Sequence, residues 1–296
     1  MSEKQFKIVG LGEVLWDVLP TGEQLGGAPA NFAFAANQLG NCGIVASRVG
    51  NDKDGRGILG GLESRGVDVS HLQTDAEHRT GKVVVSLENG QPGYEISEDA
   101  AWDFLELTED WRDLANNCDA VCFGTLAQRN ENSRRTIRNY AALTRSECLR
   151  VFDVNLRQNY YSFEILRESL ESANVVKLNH EELPGVCEIF EIKGADEKQR
   201  AKTLREKFDL RLVCLTRGAN GSLLLTEDET SEHCGIKVEI ADTIGAGDSF
   251  AAALTHGILR GWNLDKINVH ANKVGAFVAS QTGAMPEFPE NFQVKE

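Results

Sequence analysis

Long hydrophobic runs are missing from this 296-residue chain. No stretch of about 18 apolar residues occurs, so no membrane-spanning helix is expected. The polar opening, MSEKQFK, lacks the apolar segment of a leader, and the expected location is cytoplasmic. Basic residues are outnumbered, 31 Lys and Arg against 45 Asp and Glu, for a formal net charge of −14. That balance argues against nucleic acid or an anionic membrane surface as a partner. Any phosphate site must then be local, built from backbone amides and a few arginines. The seven cysteines are odd in number, sit mostly in apolar runs and form no CxxC pair, which favours reduced core thiols over a disulfide framework or zinc site. None of the six histidines shows metal-ligand spacing. Gly10-x-Gly12 is not a dinucleotide fingerprint, because position 15 is Leu and no helix start follows. Internal repeats, low-complexity tracts and long linkers are also absent, so residues 1–296 read as one large domain.

What is present is organised around Ile240–Gly261, IADTIGAGDSFAAALTHGILRG. A short β-type run (Ile236, Val238, Ile240) feeds a glycine-broken turn, residues 242–248. The turn opens onto a helix with Phe250, Ala253, Leu254 and Ile258 on one face and Gly261 as its stop. Such a turn presents unpaired N–H groups and the positive end of a helix dipole, which together suit an anion. Asp248 stands at that anion site, where a carboxylate would repel a phosphate. It makes sense there if it takes a proton from a nucleophile attacking the phosphate.

Towards the N-terminus, residues 6–18 read as one nearly apolar strand with Glu13 and Asp17 inside it. Asp17 falls at the C-terminal end, where open α/β sheets bind ligands. For Glu13, a water-facing carboxylate and a functional one are equally supported. Residues 25–40 form a second glycine turn, in which Gly26-Gly27 precede Pro29 at the first position of a helix running to Leu39. Asn31 lies in its first turn, and the glycine amides with Asn31 fit a polyhydroxylated ligand better than plain capping. A strand at 44–49 and a helix at 55–66 follow. Residues 79–97 then alternate apolar and polar about Asn89-Gly90, a hairpin signature that suggests an inserted lid. Tyr94, Trp102 and Phe104 come next, as core packing or as an apolar wall over a ligand.

From residue 109 the elements alternate: strands at 120–124, 149–154, 174–178 and 212–216, helices at 130–146, 162–172 and 195–208. That rhythm predicts a parallel sheet with right-handed crossovers. The strand ends deliver Asp153, Asn155 and Arg157, then Asn179 and Glu182, then Thr216, Gly218 and Gly221, towards one rim. Each group alone also reads as helix capping, and Asn179–Glu182 in particular does. The planar fork of Arg157 suits phosphate oxygens.

With Gly26-Gly27…Asn31 and Asp242-Thr243-x-Gly245-Ala246-Gly247-Asp248, the chain resembles the ribokinase/pfkB-type carbohydrate kinases along essentially its whole length. The resemblance implies a three-layer α/β/α ribokinase-like core with a mostly parallel central sheet and a small β lid, here formed by about 19–28 and 79–103. It implies ATP-dependent phosphorylation of a sugar hydroxyl, with Asp248 as base and the Gly245-Ala246-Gly247 amides as the anion hole. Asn179 and Glu182 match the motif that organises Mg²⁺ through water. Thr216, Gly218 and Gly221 match the nucleotide stretch, and Asn272, Gly275 and Gly283 would flank the adenine. A monovalent cation, K⁺, would be held by Asp242 and the Ile244 carbonyl.

GEVLWDVLP, LGGAPANFA, SRVGND, AAWDFLEL, FGTLAQR and FDVNLRQNYY look most like bacterial fructokinases, although Thr125 replaces the serine frequent there. On that likeness the acceptor is fructose, held by Asp17, Gly26, Gly27, Asn31, Trp102 and Arg157. Ribokinase and 2-keto-3-deoxygluconate kinase are the nearest alternatives. A non-catalytic sugar-binding regulator would need neither Asp248 nor the Asn179…Glu182 pair. The lid hairpin could also clasp a second subunit into a homodimer.

Overall fold

The computed structural model describes residues 5–20, 22–88 and 91–293. Its elements in chain order are β1 (Lys7–Leu11), β2 (Leu15–Leu19), β3 (Gly22–Gly26), α1 (Ala28–Gln38), β4 (Cys42–Gly50), α2 (Lys53–Glu63), β5 (Leu72–Asp75), β6 (Gly81–Glu88) and β7 (Gln91–Ile96). After a 3₁₀ turn at Ala101–Phe104 come α3 (Glu109–Asn117), β8 (Ala120–Phe123), a second 3₁₀ turn at Leu126–Gln128, α4 (Glu131–Leu143), β9 (Leu149–Asp153), α5 (Phe163–Ser172) and β10 (Val175–Asn179). The chain continues with α6 (Glu182–Ile189), α7 (Glu197–Lys207), β11 (Leu212–Thr216), β12 (Ser222–Leu225), β13 (Thr230–His233), α8 (Ala246–Leu259) and α9 (Leu264–Ala279).

Among the described residues nine strands make one sheet, in the order β13-β12-β11-β10-β9-β8-β1-β4-β5. Seven of them, from β11 to β5, pair in parallel; β12 and β13 add antiparallel. The parallel strands are apolar on both faces because helices cover both. Val9, Val121 and Phe123 pack with Trp111, Ile137, Leu166, Val186 and Leu204 of α3–α7. Their neighbours Ile8, Ala120 and Cys122 pack with Phe32, Phe250, Leu254 and Val274 of α1, α8 and α9. This is the parallel sheet expected from the βα rhythm and the three-layer α/β/α arrangement implied by the family resemblance.

A second sheet, in the order β3-β2-β6-β7, stands apart from it. The expected hairpin is its β6–β7 pair, antiparallel from Val83↔Ile96 to Glu88↔Gln91; the Asn89-Gly90 turn and the Tyr94 side chain lie outside the described residues.

Several boundaries differ from the sequence reading. Residues 6–18 are two strands. Gly12, at φ 145°, breaks the run, and the chain leaves the central sheet for the small one. Both strands are apolar enough to read as one, but they bury against different partners. Residues 236–240 are not a strand: they have no ladder partner, and Ile240 is 60% exposed. The short helix α6 and the edge strands β12 and β13 had no clear periodic signal. Pro29 occupies the second helical position, after Ala28.

Candidate active site

The turn before α8 depends on a residue without a side chain. Gly245 caps the helix at φ 76°, and a Cβ there would stand 2.6 Å from the Ala284 carbonyl oxygen. The carboxylate of Asp242 holds the turn, accepting the Ile244 N–H at 3.0 Å and the Gly283 N–H at 3.3 Å. The N–H groups of Gly247 and Asp248 open the helix and have no carbonyl one turn back within it. Below them lies Lys177, whose Nζ is 3.4 Å from where a Gly247 Cβ would be. Lys177 is buried and paired with buried Asp153 at 2.8 and 2.9 Å. Burial alone would lower its pKa, but Asp153, Glu182 and Asp248 raise it further, so it stays charged. A helix terminus and a fixed buried cation therefore meet at this turn, a combination suited to an anion.

Asp248, in the first turn of α8, accepts a hydrogen bond from Asn31 Nδ2 in the first turn of α1 at 2.7 Å. One bond thus joins two helix N-termini 217 residues apart in sequence. Burial and then Asp153 push the Asp248 carboxyl up to about 6, against the opposing effects of Asn31, Lys177 and Arg157. The helix dipole alone would favour a weaker, fully ionised base; burial outweighs it.

Around this bond lie more uncommitted groups. Among the described residues, the Asn31 Oδ1 is buried without a hydrogen-bond partner. Glu13, at the bend between β1 and β2, is 3% exposed and its Oε2 also lacks a partner. Burial lifts its carboxyl to about 7, with Asp248 adding to the rise and Arg157 and two backbone N–H groups opposing it. Asp17 is likewise lifted to about 6 by burial, with Arg157 opposing and Asp248 and Asp242 contributing. It sits mid-strand in β2, not at the end of a central strand, and its Oδ2 is 2.1 Å from where a Gly26 Cβ would be. Only glycine leaves that carboxylate room. Gly27, at φ 104°, brings the start of α1 against the Glu13 carbonyl. Arg157 is exposed in the loop after β9, and its field reaches all three carboxyls.

Trp102 is not in this group. It is fully buried, with the Arg129 guanidinium 4.0 Å above its ring, and offers no surface to a ligand. Of the two readings for that aromatic cluster, packing is the one realised at this ring.

Further along the rim the polar groups are mutually engaged. Asn179 Oδ1 accepts the N–H groups of Glu181 and Glu182, while Glu182 returns Oε2 to the Asn179 N–H and Oε1 to the Leu156 N–H. That is a reciprocal cap on α6. Thr216 ends β11, beside Asn179 in register. Gly218 and Gly221 have positive φ in the turn to β12, and a Gly221 Cβ would collide with the His233 carbonyl at 1.9 Å. Asn272 on α9 donates to Ser222 Oγ at 2.7 Å and to Asn268. Gly275 lets α9 approach Ala246 and Phe250 of α8, and Gly283 faces Gln24 of the small sheet. Among the described residues no group of three or more His, Cys, Asp or Glu could hold a metal ion.

The pfkB family carbohydrate kinase profile matches residues 11–291. The chain belongs to this family. Of its relatives, a fructokinase of Salmonella typhimurium is 32% identical over 305 residues, covering 96% of each chain. An uncharacterized sugar kinase from Pyrococcus horikoshii, solved in complex with ATP, superposes with a TM-score of 0.80 at 28% identity over 94% of each chain. The fructokinase of Vibrio cholerae, in its fructose-, ADP- and calcium-bound form, gives 0.77 at 28% identity over 94% of each. This carbohydrate kinase is accordingly a phosphotransferase acting on a sugar.

Two residues of the rim were missed or undecided from sequence. Lys177 had a signal, a lone charge inside the buried strand VVKLN. The role of Glu13 depends on the bend at Gly12, which sequence periodicity did not show.

Proposed function

We propose that this chain is an ATP-dependent fructokinase, acting as a single kinase domain over residues 1–296 in the cytoplasm. The carrying observation is the 2.7 Å bond between Asn31 and Asp248, which puts a raised-pKa carboxylate between an anion-binding helix start and a set of uncommitted polar groups. The sugar would occupy the side lined by Asp17, Gly26, Gly27, Asn31 and Arg157. Its hydroxyl oxygen attacks the γ-phosphorus of ATP, the bond to the bridging oxygen breaks, and ADP leaves. The hydroxyl proton passes to Asp248, while the Gly245–Gly247 amides face the developing charge.

The nucleotide would lie along Thr216–Gly221, with Asn272, Gly275 and Gly283 at its base. Mg²⁺ would supply charge neutralisation on the phosphates. Each Glu182 oxygen already accepts a backbone N–H, so Asn179 and Glu182 suit contact with the ion through water better than direct ligation. Asp242, which holds the turn, and the Ile244 carbonyl would be the groups for a K⁺ ion. The small sheet covers the acceptor side as a lid, and Val84, 40% exposed on β6, belongs to the surface through which two lids would pair in a homodimer.

The choice of fructose is supported by the fructokinases among the relatives. A coupled ADP-release assay across fructose, ribose, 2-keto-3-deoxygluconate and adenosine tests it. Fructose should give the highest kcat/KM. A higher value for another substrate reassigns the sugar, and flat rates on all four overturn the kinase reading in favour of a binding protein.

A further inference from the structure

The loop between β9 and α5 carries Arg157 and is held in an uncommon conformation. Asn155 and Gln158, on either side of Arg157, have φ of 42° and 46°. Non-glycine residues remain there only where the surroundings impose it. One end of the loop is tied by the Leu156 N–H, which Glu182 Oε1 accepts at 3.0 Å. At the other, the Tyr160 N–H donates to the Arg157 carbonyl at 3.0 Å and the Tyr160 ring packs on Arg129, whose Cζ is 4.8 Å from the ring centroid.

Arg129 follows the 3₁₀ turn Leu126–Gln128 and does more than pack on that ring. Its side chain is 8% exposed, and its Cζ also lies 4.0 Å from the centroid of the Trp102 ring. Nε and Nη2 donate to the two carboxylate oxygens of Asp103, 2% exposed, at 2.8 and 2.7 Å. Nη2 also donates to the carbonyl of Ser97, the residue that leaves β7. Ser97 in turn closes the small sheet, exchanging hydrogen bonds with the Lys82 backbone through its Oγ. Tyr160 reaches the same segment, its hydroxyl 3.5 Å from Glu98.

We propose that Arg129 is a positioning residue that couples the small sheet to the Arg157 loop, its Nη2 holding the Ser97 carbonyl of the sheet's return segment while its guanidinium packs on Tyr160. The proposal rests on the sugar-kinase reading in one respect: the acceptor is bound between the small sheet and Arg157. Lid position and Arg157 position are then set together. A lysine cannot replace the arginine, because only the planar fork binds Asp103 through two nitrogens while stacking on two rings.

The test uses the full chain with Tyr160→Ala, Tyr160→Phe and Arg129→Lys. Tyr160→Ala should raise the KM for the sugar about tenfold, with kcat within about threefold and the KM for ATP unchanged. Arg129→Lys should do the same, and Tyr160→Phe, which keeps the stacked ring, should match the wild type. Amide hydrogen exchange in Tyr160→Ala should accelerate in residues 154–161 and also in residues 95–104. A lowered melting temperature with unchanged sugar KM, or faster exchange confined to 154–161, overturns the coupling. Because exchange needs no substrate, it decides the point even if no sugar is turned over, an outcome that would defeat the kinase reading alone.

Discussion

The two sides of the rim are built on opposite plans. On the side we assign to the acceptor, Glu13 and Asn31 each keep a buried oxygen without a hydrogen-bond partner among the described residues, and the carboxyls of Glu13, Asp17 and Asp248 are all pushed upward. On the side we assign to the nucleotide, Asn179 and Glu182 satisfy each other across the start of α6, and Asn272 is absorbed in a network with Ser222 and Asn268. Buried polar groups without partners are costly, on the order of 1–3 kcal/mol each. A ligand bound beside Asn31 and Glu13 would supply such partners there. The side we assign to the nucleotide is held by its own hydrogen bonds and glycine turns, while the side we assign to the acceptor keeps polar oxygens uncommitted.

The contrast can be broken most sharply at Asp248. Asp248→Asn should keep the fold, including the bond from Asn31 through the new amide oxygen, and lose about 10²–10⁴-fold in kcat. Near wild-type turnover would remove Asp248 as the base.

Acidity provides the next largest effect. Burial raises the Asp248 pKa to about 6, so its ionised form is lost as pH falls through that value. The kcat/KM for the sugar should fall by about tenfold per pH unit below about 6. A profile flat down to about pH 4.5, well below the raised value, would show that no buried carboxylate acts as base.

Asn31→Ala sharpens the same side. Loss of the charge-assisted bond should lower kcat/KM about tenfold and move the acid limb to higher pH, since that bond favours the ionised carboxylate. An unshifted limb would mean that the bond does not hold in solution.

The smallest change belongs to the nucleotide side. Asn179→Ala removes the α6 cap and should cost about 1 kcal/mol in stability by urea unfolding. It should raise the KM for ATP a few-fold and leave the sugar KM and the pH limb alone. An equal effect on both substrates would mean that the two sides are not separate.

Much of the fold was legible along the chain because its elements are local. The α8 start needs only a glycine able to take φ 76°, the absence of a strand-former and an apolar helical face, all written within residues 245–258. The βα rhythm from β8 to β11 carries its own parallel topology, since each apolar strand must be covered on both faces. The hairpin at β6–β7 was readable from alternation about the dipeptide Asn89-Gly90. Illegible were the features that depend on a partner far away. The break at Gly12 separates two strands of equal apolarity, and only the partners, Ile44 and Ala120 for one and Gln24 and Val83 for the other, distinguish them. Trp102 looked equally like a wall or a core residue until Arg129 covered it.

The sequence by itself determined the family and with it the reaction class, since the seven residues Asp242–Asp248 carry the resemblance to carbohydrate kinases and set a carboxylate in the first turn of a helix behind a glycine turn. Tertiary structure alone decided how readily that carboxyl ionises. Asp248 next to a helix terminus should be an easily ionised acid, and it is not, because the fold buries it beside Asp153 and brings Asn31, Lys177 and Arg157 from three other elements to limit the rise. A carboxyl's pKa is set by the solvent and charges around it in space, and those are not neighbours in the chain.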